Sequence, residues 1–76
     1  MAQKDFKYVI CVDNANYPAS LEKRKIYEAL PDRNAAKKGF IRVIDESGED
    51  YLYPNSYFID ANLAKETQAA IANIAL

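Results

Sequence analysis

Histidine and tryptophan are absent from this chain, cysteine and methionine occur once each, and 76 residues include only two glycines and three prolines. Each shortage excludes something. Without histidine there is no imidazole to move a proton or bind a metal near neutral pH. Gly39 and Gly48 alone cannot build a phosphate-cradling loop. A single Cys11 forms no internal disulfide. A secreted domain of this size would usually carry paired cysteines, so an intracellular, cytoplasmic setting is expected. Cys11 sits inside the run YVICV and reads as core packing, because reactive thiols favour exposed, electropositive surroundings. No apolar run approaches the ~20 residues of a membrane span, and the N-terminal MAQKDFK lacks the layout of an export signal. A soluble chain that does not engage a membrane is the expectation.

Catalytic constellations are missing too. Two carboxylates alone do not make a hydrolase in so small a domain, because a glycosidase pair needs a substrate cleft between its groups. Asp45, Glu46, Glu49 and Asp50 flank one turn. Calcium loops set oxygen ligands at alternating positions with a glycine between them, and DESGED does not match. The four acids are expected to keep a hairpin tip soluble, and Arg42 to pair across the strands with Asp50 or Glu49. A non-catalytic protein with no metal and no cofactor is expected.

What is present fits one folded domain. Half the residues are hydrophobic and 28% are charged, which argues against disorder. A chain this short buries only about 60% of its unfolded surface, so every apolar face matters. The net charge of −1 is unevenly spread. Residues 1–42 hold nine Lys and Arg against five acids, and residues 43–76 hold one Lys against six acids.

Phe6 to Val12 reads as a buried strand, followed by a loop at Asn14–Ser20. Lys25–Leu30 is ambiguous between strand and helix, but Ile26, Tyr27 and the closing Pro31 favour strand. Pro31–Gly39 predicts one helical turn, with Asp32 capping its start and Gly39 in the left-handed position after its end. Phe40–Asp45 and Asp50–Tyr53 predict a hairpin turned at Gly48. Pro54 ends it, Asn55–Tyr57 makes a tight turn, and Phe58–Ile59 a last short strand. In the tail, Leu63, Thr67, Ala70, Ile71 and Ile74 recur at helical spacing behind a candidate cap, Asn62. Such a helix is marginal alone and is expected to lie on the rest of the domain, with docking on a partner or fraying as the alternatives. Val9, Ile26, Ile41, Val43 and Phe58 are the expected core.

Six tyrosines stand out. Tyr51 and Tyr53 share one strand face. Either their rings complete the core while the hydroxyls reach water, or they line a contact patch.

Five short strands, a loop after the first and a one-turn helix before the last resemble a Src-homology-3-like (SH3-like) antiparallel barrel. Leu52-Tyr53-Pro54-Asn55-Ser56-Tyr57-Phe58 is similar to the proline, tight turn, tyrosine and apolar residue that close such barrels. Leu21-Glu22-Lys23-Arg24-Lys25-Ile26-Tyr27 is similar to the charged turn before their second strand. The run GFIRVIDESGEDYLYP, behind KIYEALPD, also resembles a family of small, stand-alone bacterial proteins of uncharacterised function. The resemblance covers residues 6–60. It implies a mainly β domain over residues 1–60, with residues 61–76 as an amphipathic C-terminal helix of the same domain. The chain departs from peptide-binding members in lacking their third-strand tryptophan, and Asn14-Ala15-Asn16-Tyr17 stands where they carry an acidic loop. Proline-rich peptides need an aromatic-lined groove, of which Tyr17, Pro54 and Tyr57 supply only part.

Two functions follow as expectations. The first is a protein-interaction or accessory module whose partner is another protein, bound through Tyr17, Pro54 and Tyr57. The second is a nucleic-acid-binding barrel using Lys23, Arg24, Lys25, Arg33, Lys37, Lys38 and Arg42 as a basic stripe. A pI near 5.3 weighs against the second.

Overall fold

The computed structural model describes residues 8–73. Five strands, β1 (Tyr8–Cys11), β2 (Ile26–Leu30), β3 (Phe40–Ile44), β4 (Asp50–Pro54) and β5 (Phe58–Asp60), pair antiparallel in the order β4-β3-β2-β1-β5. Helix α1 (Arg33–Lys37) joins β2 to β3, a 3-10 turn (Asn55–Tyr57) joins β4 to β5, and helix α2 (Lys65–Ala72) follows. The class is mainly β with a C-terminal helix, and Lys25–Leu30 supplies a strand, as its β-branched and aromatic residues indicate. No ladder joins β4 to β5, so the sheet has two open edges and is not closed into a barrel. Phe6 and Ile74, expected in the first strand and in the apolar stripe of the tail, lie outside the described residues.

Alternation sorts the side chains. Val9 lies opposite Tyr27, Cys11 opposite Phe58, Ala29 opposite Val43, and Ile41 opposite Tyr53. These residues line the inner face, and all but Ile41, which packs at their margin, are buried. The sheet curls around them. In a flat sheet β4 and β5 would stand about 19 Å apart, four strand spacings, yet the Tyr53 and Phe58 rings lie 6.3 Å apart. Leu21, 1% exposed, plugs the core from the long loop between β1 and β2.

Ile26 departs from the expected core. It is 38% exposed, because Tyr27 takes the inward position and period-two geometry turns Ile26 outward. There it continues an outer apolar row with Ile10 and Ile59.

The turn chemistry follows the sequence closely. Asp32, in extended conformation, accepts a hydrogen bond from the Ala35 amide at 2.9 Å and caps α1. Gly39 and Gly48 adopt φ of 85° and 83°, where a Cβ would be strained. Arg24 adopts φ of 73° without being glycine, and its amide donates to the Cys11 carbonyl at 2.7 Å. That bond closes the neck of the β1–β2 loop and holds the residue in a costly conformation.

The tail differs more. Asn62 does not cap α2; it takes φ of 53° two residues upstream of the capping position, which Ala64 fills without a side-chain bond. Gln68 instead reaches back to the Leu63 carbonyl at 2.9 Å. No residue of α2 is buried. Its Ile71 and Ala72 overlook an open groove of about 740 Å³ whose other wall includes Tyr8, Ile26 and Ile44 on the outer face of the sheet.

Val43→Ala, at a site of 0% exposure, should lower stability by roughly 2–3 kcal/mol through lost transfer energy and a cavity. Ile26→Ala should cost under about 1 kcal/mol. Arg24→Gly should raise stability by about 0.5–1 kcal/mol by relieving the left-handed backbone. Urea midpoints measure all three; equal losses for Val43→Ala and Ile26→Ala would contradict the assignment of faces.

Candidate functional site

The β1–β2 loop is locked onto the sheet at both ends. The Val12 amide donates to the Tyr57 carbonyl at 2.7 Å and the Cys11 amide to the Lys25 carbonyl at 2.9 Å. Inside the loop, Asp13 accepts from the Ala15 amide, Asn14 donates its side-chain amide to the Leu21 carbonyl, and the Tyr17 carbonyl accepts from Ser20 and Leu21. The Asn and Asp bonds turn the chain twice over a few residues and fix where Tyr17 emerges.

Tyr17 lies edge-on against Tyr53, with ring centroids 5.0 Å apart and planes at 82°, and 6.2 Å from Tyr57. Edge-to-face contact is the favoured arrangement of two such rings. Tyr17 is nevertheless 41% exposed. The structure therefore brings Tyr17 and Tyr57 together, with Pro54 leading into the same 3-10 turn and half-buried. Tyr57 is only 7% exposed and belongs to the core cluster, so the expectation of three accessible contacts is corrected to one open ring, a half-open proline and a supporting buried ring. The short turn after β4 swings Tyr57 inward, because its carbonyl must meet Val12 and Phe58 must begin β5.

Two buried phenols make contacts that sequence reading missed. Their hydroxyls meet carboxylates rather than water. Tyr53 donates to Asp45 Oδ2 and Tyr27 to Glu46 Oε2, each at 2.5 Å. Asp45 is 6% exposed, and its Oδ1 also accepts from the Ser47 amide and hydroxyl. Burial alone would raise its pKa; the Ser47 and Tyr53 donors outweigh that and hold it below the usual carboxylate range. Glu46 is held low by Lys25, 2.7 Å away, and by Tyr27. Burial and the Asp45 bond push the Tyr53 phenol up to about 12, and burial with the Glu46 bond raises Tyr27 further. Two of the four acids expected merely to keep a hairpin tip soluble are thus structural. No sequence signal marked these pairs; in the structure Tyr53 stands opposite Ile41 and its ring leans along β4 to the hairpin root.

Arg42 bonds Asp50 at 2.9 Å, as cross-strand pairing predicts, and also Asp32 at 2.9 Å. Asp32 therefore caps α1 and ties it to β3 at once. The Ala35 amide first, and Arg42 second, lower its pKa. Cys11 is fully buried, donates to the Asp13 carbonyl, and has its thiol pKa raised by that burial, the reverse of an activated nucleophile.

The basic residues do not line up along one strand face. Lys23, Arg24 and Lys25 precede β2, and Arg33, Lys37 and Lys38 follow it, at opposite ends of the strand. Lys25 and Arg42 are engaged by Glu46, Asp32 and Asp50. Among the described residues no cluster of three or more His, Cys, Asp or Glu could hold a metal ion, and no helix is long and apolar enough to cross a membrane. The chain matches no known family model, no curated protein and no solved structure.

The phenol–carboxylate pairs dictate a pH profile. Asp45 and Glu46 have folded pKa values below their unfolded ones, so their contribution is complete above the ordinary carboxylate range and lost as pH falls through the lowered values. Tyr53 is raised, so its contribution is complete below about pH 10 and lost as pH climbs through about 12. Tyr53→Phe should cost about 1–3 kcal/mol at pH 7, because it strips a donor from a buried carboxylate, and should flatten both limbs. Urea midpoints at acid, neutral and alkaline pH test this; unchanged neutral stability and an unchanged alkaline limb would contradict it.

Proposed function

We propose that this protein is a small, non-catalytic interaction module that binds another protein through a surface centred on Tyr17, with Pro54 and Tyr57 as its flank and support. The observation that carries the reading is an exposed aromatic ring seated edge-on upon two tyrosines of the core. An exposed ring already fixed in place loses little conformational entropy when a partner covers it, which is why such residues anchor interfaces. The fold does not need the outer face of Tyr17. Its exposure is a cost without a partner and a gain with one.

The same proposal reads the curled sheet as a Src-homology-3-like barrel with unjoined edges. In support, all five strands feed one core, the 3-10 turn stands between the fourth and fifth strands, and the β1–β2 loop folds over the end of that core. Barrels of this kind host unrelated functions, so the site and not the fold carries the argument.

Tyr17→Ala should leave the urea midpoint within about 0.5–1 kcal/mol of the parent and abolish capture of a partner from the cell of origin. Ile59→Asp, on the far side of the sheet, should leave capture intact. Tyr57→Ala should instead destabilise by about 3–5 kcal/mol, as large-to-small changes in cores do. Capture that survives Tyr17→Ala but not Ile59→Asp would overturn the placement and move the interface to the outer apolar row.

A further inference from the structure

The two open edges of the sheet differ. β5 has three residues and ends in Asp60; short, charged edges resist pairing with another chain. β4 has five residues in unbroken register with β3, carries no lysine, and leaves Tyr51 and Leu52 50% and 43% exposed. Its backbone is free on that side. The Asp45 amide donates to the Glu49 carbonyl and the Asn55 amide to the Gly39 carbonyl, which fixes the phase of the β3–β4 ladder. The N–H and C=O of Tyr51 and Tyr53 therefore point to β3. Those of Asp50 and Leu52, with the C=O of Pro54, point away from it, where no strand follows. On the outer face Leu52 is joined by Phe40, which pairs with Pro54 and is 41% exposed.

The two ends of this hairpin carry opposite open charge. At the turn, Glu46 and Asp50 have Lys25 and Arg42, but Glu49 is exposed and, among the described residues, meets only the Tyr51 hydroxyl. At the other end Lys37 and Lys38 close α1, both exposed and without an ion pair among the described residues, while Asp32 is held by Arg42. The other open charges belong to other parts of the sheet. Glu22, Lys23 and Arg24 border Ile10 and Val12, and Asp13 follows the Val12 amide that bonds Tyr57.

We infer that a second copy of this chain pairs its β4 antiparallel to the first, across a two-fold axis at Leu52. In that register each Leu52 exchanges both backbone bonds with its counterpart, and each Asp50 amide meets the opposite Pro54 carbonyl. Pro54 has no N–H, so the ladder ends there. On the outer face the two Leu52 side chains meet, flanked by Phe40 and Pro54 of each copy. One residue further, Glu49 of one copy stands opposite Asn55 of the other. The bond from Asn55 to Gly39 then sets Lys38 two strand spacings away, ~10 Å, a distance that lysine and glutamate side chains span together. Symmetry makes the match twice. Parallel pairing would bring like charges together at both ends, and a strand of an unrelated protein satisfies the backbone without supplying this pattern of ends. The interface is small, so the dimer is a weak one. The Tyr17 ring stands on the inner side, against Tyr53, and the dimer does not depend on the interaction-module reading.

Sedimentation equilibrium of the whole chain from micromolar to millimolar concentration, with amide spectra alongside, tests this. The mass should rise from one chain to two, with concentration-dependent shifts at Asp50–Pro54 and at Lys37 and Lys38. Glu49→Lys alone, or Lys37→Glu with Lys38→Glu, should weaken the dimer at least about tenfold at low salt, less as screening increases. The three substitutions together should restore it. Leu52→Pro removes an N–H that β3 does not use and should weaken the dimer at least about tenfold while the rest of the amide spectrum stays native. A chain still monomeric at millimolar concentration would overturn the proposal, as would a dimer whose shifts fall on Ile10, Ile26 and Ile59. Shifts at β4 without rescue by the triple variant would overturn the antiparallel register. Growth beyond two chains would overturn the closed two-fold pairing in favour of open edge-to-edge assembly.

Discussion

Two phenol–carboxylate bonds at the root of the β3–β4 hairpin hold the parts of this domain that the backbone ladders leave separate. A core of this size cannot be filled by aliphatic side chains alone when the sequence offers six tyrosines, three phenylalanines and no tryptophan. Tyrosine fills the volume but brings a hydroxyl that costs energy if buried unpaired. Asp45 and Glu46, adjacent in sequence, sit where β3 ends and each receives one hydroxyl. The exchange works in both directions, since a buried carboxylate needs donors as much as a buried phenol needs an acceptor. Among the described residues no buried side-chain nitrogen or oxygen is left without a partner.

From these bonds the structure extends outward in order. Glu46 brings in Lys25, and its backbone amide meets the Ser20 carbonyl, so the hairpin root also clamps the far end of the β1–β2 loop. The Tyr27 hydroxyl, donating to Glu46, accepts from the Glu22 amide at 2.7 Å. Asp45 fixes the tilt of Tyr53, and Tyr53 is the platform on which the Tyr17 ring stands. The exposed residue with the best claim to function is thus two contacts removed from the most buried charge, and its orientation is inherited from the core rather than chosen by a mobile loop.

Most of the architecture was legible in the sequence where a single residue dictates a local geometry. Gly39, Gly48 and Asp32 marked a helix end, a hairpin and a cap because few other residues satisfy those conformations. Strand identity at Lys25–Leu30 followed from Ile26 and Tyr27. Which face each residue takes was harder. Ile26 and Tyr27 are both apolar neighbours, and only the pairing with Val9 puts Tyr27 inside. Tyr57 was misread for the same reason: its burial comes from the path of the chain after Pro54. Asn62 fits an N-cap locally, yet the Asp60 carboxylate accepts from its amide at 2.9 Å and turns the chain before the helix begins. The buried role of Asp45 was invisible because an acid-rich turn normally means solvent.

The proposed interaction surface was half legible, and the missing half is electrostatic. Counted along the chain, the basic first half suggested one stripe, and counted over the whole molecule the charge nearly cancelled. Neither sum describes the folded protein. Antiparallel pairing sets Lys25 beside Glu46 and Arg42 beside Asp50, and Arg42 also meets the helix cap Asp32, so these cations and acids neutralise one another within the fold. What survives is set by which charges lack an antiparallel neighbour. The α1 lysines qualify because a helix inserted between two strands stands outside the ladder, and the turn at Asn55 ties that helix end to the aromatic patch. Which charges stay open is thus decided by the fold's pairing of the others, and not by the net charge of the sequence.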